Sequence, residues 1–410
     1  MSRIHVFTSA AGNYVPKVRV LFDSLAEHQP DWQRHLLLVE DWADADCTAL
    51  ALEAEICQPR DLEIPDWRPW AFCHSMVELC TAVKPFMLKQ LLARDDCDAV
   101  IYLDPDIRVF SSLADVTAKL DEHAILLTPH QAQPETSLAG VMANELTSLR
   151  YGTYNLGFIA VAANASGRAF SDWWCHRAYR FNRDDVPNGL FTDQRWMDLV
   201  PGLFDGVGVL RQAHLNVASW NAHQRDLKRG ADGRVTAAGQ PLGFYHFTGL
   251  DSGNHDVALQ YATAGEGVEA SLVQNYREAL AERARHYSCA AWTFGALSDG
   301  SAVDDSWRRA YRDDSALQAR FPNPWFVAGV EMEVAVKRSA NNLRPGFIGS
   351  GFSGGNTESM DLGRVGEHLA RTVRRPNQWP ALYRSVRRVL SREGWRGLRR
   401  RLSRSGGERM

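Results

Sequence analysis

The sequence predicts an α/β protein in which helices cover both faces of a mostly parallel β-sheet. Short apolar runs of strand length alternate with helical periodicity up to about residue 250. Beyond about residue 255 only helical patterns remain, and the C-terminus is rich in arginine. We therefore predict a sheet domain at residues 1–255, a helical extension at 256–340, and a glycine- and serine-rich linker with a basic tail at 341–410.

Each predicted element follows from a local pattern. The apolar runs predict strands at Ile4–Thr8, His35–Val39, Val100–Leu103, Ala124–Thr128, Leu156–Ala162 and Gly243–Phe247. Helical spacing of apolar residues predicts helices at Val18–Leu25, Met76–Ala93, Arg168–Phe181, Val268–Tyr287 and Trp307–Phe321. We expect Pro85 to kink or split the second helix, because proline removes a backbone hydrogen bond.

The composition excludes several classes of protein. The chain has 410 residues, of which 45% are hydrophobic and 23% charged, as in an ordinary globular protein. A formal net charge of −3 gives no global field that would attract nucleic acid. The seven cysteines show no CxxC spacing, which argues against a disulfide framework or a zinc site. Together with the lack of a signal-peptide pattern or a membrane-spanning apolar run, this predicts a cytoplasmic location.

The C-terminal tail is strongly basic. Residues 364–410 contain fourteen arginines but only three acids, and Leu382, Val386, Val389 and Leu390 fall on one helical face. A basic amphipathic helix suits an anionic membrane surface, so we predict peripheral contact with the inner face of the cell membrane. A solvated basic tail and a nucleic-acid-binding arm are the alternatives. No nucleic-acid partner is expected, because no aromatic-basic recognition motif accompanies the arginines.

An acidic pair follows the apolar strand Val100–Leu103, in the run Asp104-Pro105-Asp106. Ligands of open α/β sheets bind at the carboxyl ends of the strands. Two carboxylates there, unpaired by any nearby lysine, would repel each other and raise their pKa values. A divalent cation such as Mg²⁺ or Mn²⁺ removes that conflict and also bridges phosphates. The alternative is a surface turn, since Asp and Pro favour turns.

Three further motifs lie downstream of the acidic pair. His246 ends the strand Gly243–Phe247, which we place in the same sheet, and a neutral imidazole there completes a carboxylate metal site. Asn155 lies in Tyr154-Asn155-Leu156-Gly157, at the start of a strand. Thr192-Asp193-Gln194 opens a predicted helix that runs to Leu199, and its alternative interpretation is a helix cap. A structural histidine is likewise the alternative for His246.

The order of these motifs resembles the GT-A glycosyltransferases of family 8, which include bacterial galactosyltransferases of surface polysaccharide synthesis and glycogenin. The resemblance covers about residues 4 to 250. It implies a GT-A fold, in which a Rossmann-like, mostly parallel sheet is flanked by helices. It also implies that Mn²⁺ (or Mg²⁺) is bound by Asp104, Asp106 and His246. The donor contacts that it implies are Thr8, Ser9, Asn13, Tyr14, Lys84, Asp104, Asn155 and Gly157, with Asp193 and Gln194 at the reacting sugar.

The sequence departs from the family pattern after His246. The family often continues with Lys-Pro-Trp, whose lysine grips a phosphate, whereas this chain continues Leu250-Asp-Ser-Gly-Asn-His255. Another cation must then serve the diphosphate, either Lys84 or a residue of the helical extension. Proline is also not the commonest residue between the two aspartates, although it keeps their spacing.

The resemblance implies transfer of a sugar from a nucleotide sugar, a UDP-sugar, to a saccharide or lipid-linked saccharide, with retention and in bacterial surface polysaccharide or glycan synthesis. An inverting reaction with Asp251 or Asp256 as the base stays open. The alternative functions are a nucleotidyltransferase and a non-catalytic domain that binds nucleotide or glycan. Gly12 and Lys17 make a poor triphosphate loop, which counts against the nucleotidyltransferase.

Overall fold

A seven-stranded β-sheet lies at the centre of the protein. The structure, a computed structural model, describes residues 3–251 and 267–342. In chain order the strands are β1 (Ile4–Ala10), β2 (Gln33–Leu38), β3 (Glu55–Cys57), β4 (Ala99–Leu103), β5 (Ile107–Val109), β6 (Ile125–Pro129), β7 (Tyr154–Ala162), β8 (Asp184–Asp185), β9 (Leu190–Phe191), β10 (Val207–Val209), β11 (Leu227–Arg229), β12 (Val235–Ala237), β13 (Gln240–Pro241) and β14 (Phe244–His246). The spatial order of the main sheet is β10-β6-β7-β4-β1-β2-β3. Every neighbouring pair is parallel except those of β7, so the predicted mostly parallel sheet is confirmed.

Helices flank this sheet. They are α1 (Val15–His28), α2 (Asp44–Ala49), α3 (Trp67–Phe72), α4 (Met76–Ala82), α5 (Lys84–Leu92), α6 (Ala114–Lys119), α7 (Leu138–Gly140), α8 (Leu146–Tyr151), α9 (Ala165–Phe181), α10 (Val200–Leu203), α11 (Val268–Ala284), α12 (Asp305–Asp313), α13 (Ser315–Arg320) and α14 (Gly329–Asn342). A π-helix, Val141–Glu145, joins α7 to α8. Short 3₁₀ helices lie at Gly12–Tyr14, Pro59–Asp61, Val186–Asn188, Gln194–Leu199, Ala222–Gln224, Thr293–Gly295 and Pro324–Phe326.

Strand β4 is buried on both faces, which holds its carboxyl end in place. Val100 and Tyr102 belong to one hydrophobic cluster, with residues of α5 and α9. Ile101 and Leu103 belong to a second cluster, with residues of α1. This alternation is the period of two that a strand imposes on its side chains.

The antiparallel direction of β7 brings its first residues beside the end of β4. Leu103 pairs with Phe158, and the next backbone N–H, that of Asp104, donates to the carbonyl oxygen of Gly157 at 2.8 Å. The start of β7 therefore faces the acidic pair, because antiparallel neighbours run in opposite directions.

Strand β14 is not part of the main sheet, so the predicted placement of His246 there is wrong. It pairs antiparallel with β5, with His246 opposite Ile107. The reason is the turn at Pro105 and Asp106, after which the chain leaves β4 and forms the short strand β5. The two-stranded ribbon nevertheless returns His246 to the end of β4.

Two of the predicted helices are each divided into two shorter helices. The predicted helix Met76–Ala93 splits into α4 and α5 at Val83, just before Pro85, as expected for proline near a helix start. The predicted helix Trp307–Phe321 is two helices, α12 and α13. Asp314 separates them, and its carboxylate accepts from the N–H groups of Ala316 and Leu317, which caps α13.

The helical extension packs on the sheet domain through a buried carboxylate and a pair of stacked aromatic rings. Glu40 follows β2, and its carboxylate accepts from the N–H of Gly12 and from the N–H and hydroxyl of Thr293 at 2.7 to 2.8 Å. Burial raises the pKa of Glu40, and these hydrogen bonds lower it by less. Tyr276 of α11 stacks on Phe247, with ring centroids 3.9 Å apart. The extension thereby supports the segment that follows His246.

Other sequence predictions concern cysteines, membranes and the tail. All seven cysteines lie within the described residues and none forms a disulfide. No helix in the described ranges is long and apolar enough to span a membrane. The basic tail, the linker before it and Asp256 lie outside the described residues.

Candidate metal centre

Asp104, Asp106 and His246 converge at the carboxyl end of β4. One ligand atom from each lies within 4.8 Å of the others. The Nε2 atom of His246 is 3.0 Å from Oδ1 of Asp106 and 3.5 Å from Oδ2 of Asp104. The turn at Pro105 places both carboxylates on one side, and the β5–β14 ribbon supplies the imidazole. This brings together the three residues that the sequence indicated as metal ligands.

Asn155 determines which ring nitrogen of His246 faces the carboxylates. Its Oδ1 lies 3.1 Å from Nδ1 of His246 and accepts from the backbone N–H of Gly157 at 3.3 Å. A backbone N–H only donates, so the Asn155 atom there must be the oxygen, and Nδ1 of His246 must carry the proton. Nε2 is therefore the ring nitrogen that faces the two carboxylates and that would bind a metal ion. Nε2 is buried and has no hydrogen bond of normal geometry among the described residues.

Gly157 provides the space that the His246 ring occupies. A Cβ atom at residue 157 would lie 2.4 Å from Cε1 and 2.7 Å from Nδ1 of His246. Glycine is thus required here for close packing rather than for a special backbone conformation. The spacing of Asn155 and Gly157, an amide followed two residues later by glycine, has a direct physical explanation.

A second amide supports Asn155. Asn216 is fully buried, and its Nδ2 donates to Oδ1 of Asn155 at 3.1 Å and to Oγ1 of Thr128 at 3.0 Å. It has a positive φ of 50°, which asparagine tolerates better than most residues. Sequence reasoning missed Asn216, because a lone asparagine in an irregular segment belongs to no periodic pattern.

Lys84 pairs with the acidic cluster, so the prediction that no lysine is near Asp104 is wrong. Its Nζ lies 3.3 Å from Oδ1 of Asp104 and 3.1 Å from Oδ2 of Asp193, and its side chain is only 4% exposed. The split at Val83 explains this contact, because α5 begins at Lys84 itself. Burial disfavours the ammonium charge, but Asp104 and Asp193 outweigh burial and raise the pKa of Lys84.

The electrostatics of the cluster differ from the predicted mutual repulsion. Burial favours the neutral form of Asp106, but the neighbouring His246 outweighs burial and lowers the pKa of Asp106. Burial likewise opposes a charge on His246, and Asp106 and Asp104 overcome it to raise the pKa of His246. The prediction of a raised pKa is thus wrong for Asp106, because an imidazole rather than a second bare carboxylate is its main partner.

The net charge of the cluster suits a divalent cation. The cluster holds three carboxylates and one ammonium: Lys84 contacts Asp104 and Asp193, while Asp106 lies beside His246. When His246 is neutral, as a metal ligand must be, the three carboxylates exceed the ammonium by two negative charges. Buried charges need partners. Two carboxylate oxygens and one free imidazole lone pair are ligands that fit Mn²⁺ or Mg²⁺.

Asp193 and Gln194 lie beside this centre, and Asp193 follows a strained residue. Thr192 has a φ of 45°, an unusual conformation for a β-branched residue, and such strain tends to occur at functional sites. Burial raises the pKa of Asp193, and the ammonium of Lys84 lowers it by less. Gln194 accepts from the N–H of Leu156 at 3.1 Å and donates to the carbonyl of Tyr151 at 3.0 Å. Its amide orientation is therefore fixed at the start of β7.

The predicted donor residues of β1 and the following loop differ in exposure. Thr8 is fully buried, and Ser9 donates to the carbonyl of Cys80 at 2.7 Å. Asn13 is exposed and Tyr14 is half-buried. The hydroxyl of Tyr14 donates to Oδ2 of Asp251 at 2.8 Å. Of these four residues, only Asn13 and Tyr14, which follow β1, are at least partly exposed to solvent.

Comparisons with known proteins give relatives of low sequence identity. No model of a known protein family matches the chain. The uncharacterized protein YfnD of Bacillus subtilis (strain 168) is 27% identical over 255 residues, which are 61% of this chain and 79% of that protein. The uncharacterized protein YfnF of the same organism is 26% identical over 176 residues, which are 42% of this chain and 56% of that protein.

The solved structures similar to this one include three glycosyltransferases. The galactosyltransferase LgtC, in complex with donor and acceptor sugar analogues, is 19% identical, with a TM-score of 0.43 over 68% of this chain and 95% of that chain. The glycosyltransferase GlyE of Streptococcus pneumoniae TIGR4 is 16% identical, with a TM-score of 0.39 over 69% and 63%. Mouse xyloside xylosyltransferase 1 is 14% identical, with a TM-score of 0.37 over 60% and 98%.

Proposed function

We propose that the protein is a metal-dependent glycosyltransferase that moves a sugar from a nucleoside diphosphate sugar, a UDP-sugar, to a saccharide or glycolipid acceptor. The observation that supports this most strongly is the convergence of Asp104, Asp106 and Nε2 of His246 at the carboxyl end of β4. A cluster with two uncompensated negative charges needs a cation, and a cation there would attract a diphosphate.

The metal ligands in this proposal are Asp104, Asp106 and His246, which hold Mn²⁺ or Mg²⁺. When bound, the ion neutralises charge that develops on the departing diphosphate. Asn155 keeps the proton of His246 on Nδ1, so the ligating nitrogen stays available. Lys84 holds Asp104 and Asp193 in place and limits the charge of the cluster.

The residues at the reacting sugar are Asp193 and Gln194. Cleavage of the anomeric C–O bond makes the anomeric carbon cationic, as in glycoside hydrolysis. The carboxylate of Asp193 and the oriented carbonyl oxygen of Gln194 stabilise that charge, while Asn155 and Gly157 line the donor. Asn13 and Tyr14 contact the nucleotide. Retention needs no side-chain base, because the leaving phosphate oxygen takes the acceptor proton on the same face.

A nucleotide-binding experiment tests this function. Thermal unfolding is followed with Mn²⁺ and a panel of nucleoside di- and triphosphates, each with and without the metal. We expect stabilisation by UDP that requires Mn²⁺, since a ligand that binds only the folded state raises its stability. Preference for triphosphates would indicate a nucleotidyltransferase, and no response to any nucleotide would contradict the proposal. Anomeric proton NMR of the product then distinguishes retention from inversion.

We also propose, from the sequence of the tail, that the acceptor is lipid-linked and that the arginines contact an anionic membrane surface. This proposal is tested by flotation with vesicles of phosphatidylglycerol and phosphatidylcholine, which compares the full chain with one in which Arg399–Arg401 are glutamine. Binding that depends on the anionic lipid and weakens in the variant is expected. Equal flotation of the two proteins would contradict it.

A further inference from the structure

Lys17 is a buried cation that the proposed mechanism does not use. It lies in the first turn of α1, and its side chain is 8% exposed. Its Nζ lies 2.5 Å from Oδ2 of Asp251 and 3.9 Å from the centre of the Tyr14 ring. Asp251 is its ion-pair partner among the described residues. A buried ammonium thus depends for its charge partner on one side chain.

Asp251 itself is exposed. Its side chain is 56% accessible, yet its Oδ2 accepts from both Lys17 and the hydroxyl of Tyr14. A carboxylate oxygen that receives an ammonium and a phenol has the charge and the acceptor role of a phosphate oxygen. An exposed aspartate is a partner that a ligand can displace with little rearrangement of the fold.

This pair lies close to the candidate metal centre. Tyr14 and Lys17 follow the carboxyl end of β1, the parallel neighbour of β4 in the main sheet, and their partner Asp251 lies five residues after His246. The N–H of Phe247 donates to the carbonyl oxygen of Asp106 at 2.8 Å. This hydrogen bond joins the residue after His246 to the acidic pair, and the same segment continues to Asp251. A diphosphate bound to an ion at Asp106 would therefore have Lys17 within reach of its other oxygens.

Lys84 is poorly placed to bind a phosphate of the donor. Its ammonium is shared between Asp104 and Asp193, and it is almost fully buried beneath the cluster. Residues 250–255 supply no lysine either, since they are Leu-Asp-Ser-Gly-Asn-His. Lys17 is the remaining buried lysine at this end of the described sheet domain.

Building on the proposed function, we propose that Lys17 and Tyr14 bind a phosphate of the donor diphosphate, and that the carboxylate of Asp251 occupies this place when no donor is bound. Binding then exchanges one anion for another. The ammonium of Lys17 and the hydroxyl of Tyr14 keep a partner in both states, so neither is left buried and unpaired.

The test measures binding of inorganic pyrophosphate and of UDP, each with Mg²⁺, by isothermal titration. Lys17→Met keeps the apolar stem but removes the charge, and we expect roughly 10- to 100-fold weaker binding of both ligands. Asp251→Ala removes the competing anion, and we expect binding that is tighter by roughly 3- to 10-fold. The opposite signs separate this arrangement from a merely structural ion pair, whose loss would not tighten binding.

Lys89→Met is the matched control, because Lys89 pairs with Asp172 in an exposed salt bridge between α5 and α9 and should leave both affinities unchanged. Thermal unfolding checks that each variant is folded. Unchanged affinity in Lys17→Met, or weaker binding in Asp251→Ala, would overturn the inference while leaving the proposed function intact. Wild-type protein that binds neither UDP nor pyrophosphate would overturn both.

Discussion

The Nδ1 atom of His246 lies 3.1 Å from Oδ1 of Asn155, and this contact decides how the imidazole is presented to Asp104 and Asp106. A metal-binding histidine commonly donates its second N–H to an oxygen, which fixes the tautomer and the orientation of the ring. Here an amide at the start of β7 fulfils that role. The contact therefore links the Asn155–Gly157 motif directly to the acidic pair.

Replacing Asn155 should weaken metal binding. Asn155→Ala removes the acceptor oxygen, and we expect Mn²⁺ affinity to fall by roughly 10- to 100-fold. Asn155→Asp keeps an oxygen in the same place and should retain affinity within a few-fold. Titration calorimetry with Mn²⁺ measures both. Equal affinity of Asn155→Ala and the wild type would show that the Asn155 oxygen does not orient a metal ligand.

Adding one methyl group at Gly157 should displace His246. The Cβ atom of Gly157→Ala would lie 2.4 Å from the imidazole, so we expect a loss of about 1–3 kcal/mol in the free energy of unfolding and weaker stabilisation by Mn²⁺. Gly202→Ala is the control, because a Cβ atom at residue 202 would have no neighbour within 4 Å among the described residues. Urea unfolding with and without Mn²⁺ checks this. A Gly157→Ala protein that keeps wild-type stability and metal response would contradict the packing argument.

Removing the charge of Lys84 should destabilise the fold. Lys84→Met leaves Asp104 and Asp193 without their ammonium partner, and breaking such a buried pair costs about 3–5 kcal/mol. The additional change Asp193→Asn should recover part of that loss. Lys89→Met breaks an exposed pair and should cost less than about 1 kcal/mol. Urea unfolding at neutral pH measures all three, and similar losses for the two lysine variants would refute the predicted difference.

A buried histidine pair makes stability fall in acid. Nδ1 of His5 lies 2.8 Å from Nε2 of His35, and burial, with lesser contributions from His5 and Arg94, lowers the pKa of His35 from 6.5 to about 4. The unfolded chain then binds a proton more readily than the folded one. This contribution to stability is complete above about pH 6.5 and is lost as the pH falls toward 4, by roughly 3 kcal/mol in total.

Urea unfolding between pH 7.5 and 4 tests this dependence in the wild type, in His35→Gln and in His176→Gln, which changes an exposed histidine. The slope between pH 6.5 and 4 should become shallower only in His35→Gln. Asp96 and Glu55 also face the pair, 3.6 Å from Nε2 of His5 and 3.5 Å from Nδ1 of His35, so the comparison between variants is the informative quantity. Parallel curves for all three proteins would count against the buried pair as the cause.

Local patterns in the sequence were sufficient to predict strand β4, the acidic pair at its end and the order of the motifs. Strand β4 is apolar throughout and ends abruptly at two acids, which is a signal within one short segment. The split helix is similar, because Pro85 acts on its own backbone. The convergence of Asp104, Asp106 and His246 followed from the motif order rather than from any one motif.

The remaining features depend on contacts between distant segments, which no local pattern records. Lys84 contacts Asp104 only because α5 begins beside the end of β4. Lys17 and Asp251 are 234 positions apart. The placement of β14 depends on where the chain leaves β4 after Pro105. These are consequences of how the elements pack, and a single sequence carries no direct signal for them.

The central claim is that Asp104, Asp106 and His246 hold the cation that binds a nucleoside diphosphate. The most direct measurement is a crystal soaked with Mn²⁺ and UDP, with diffraction data collected on both sides of the manganese absorption edge. We predict one anomalous peak within coordination distance of both carboxylates and of Nε2 of His246, with the diphosphate of UDP on its open side. Manganese bound elsewhere, or UDP bound away from these three residues, would contradict the claim.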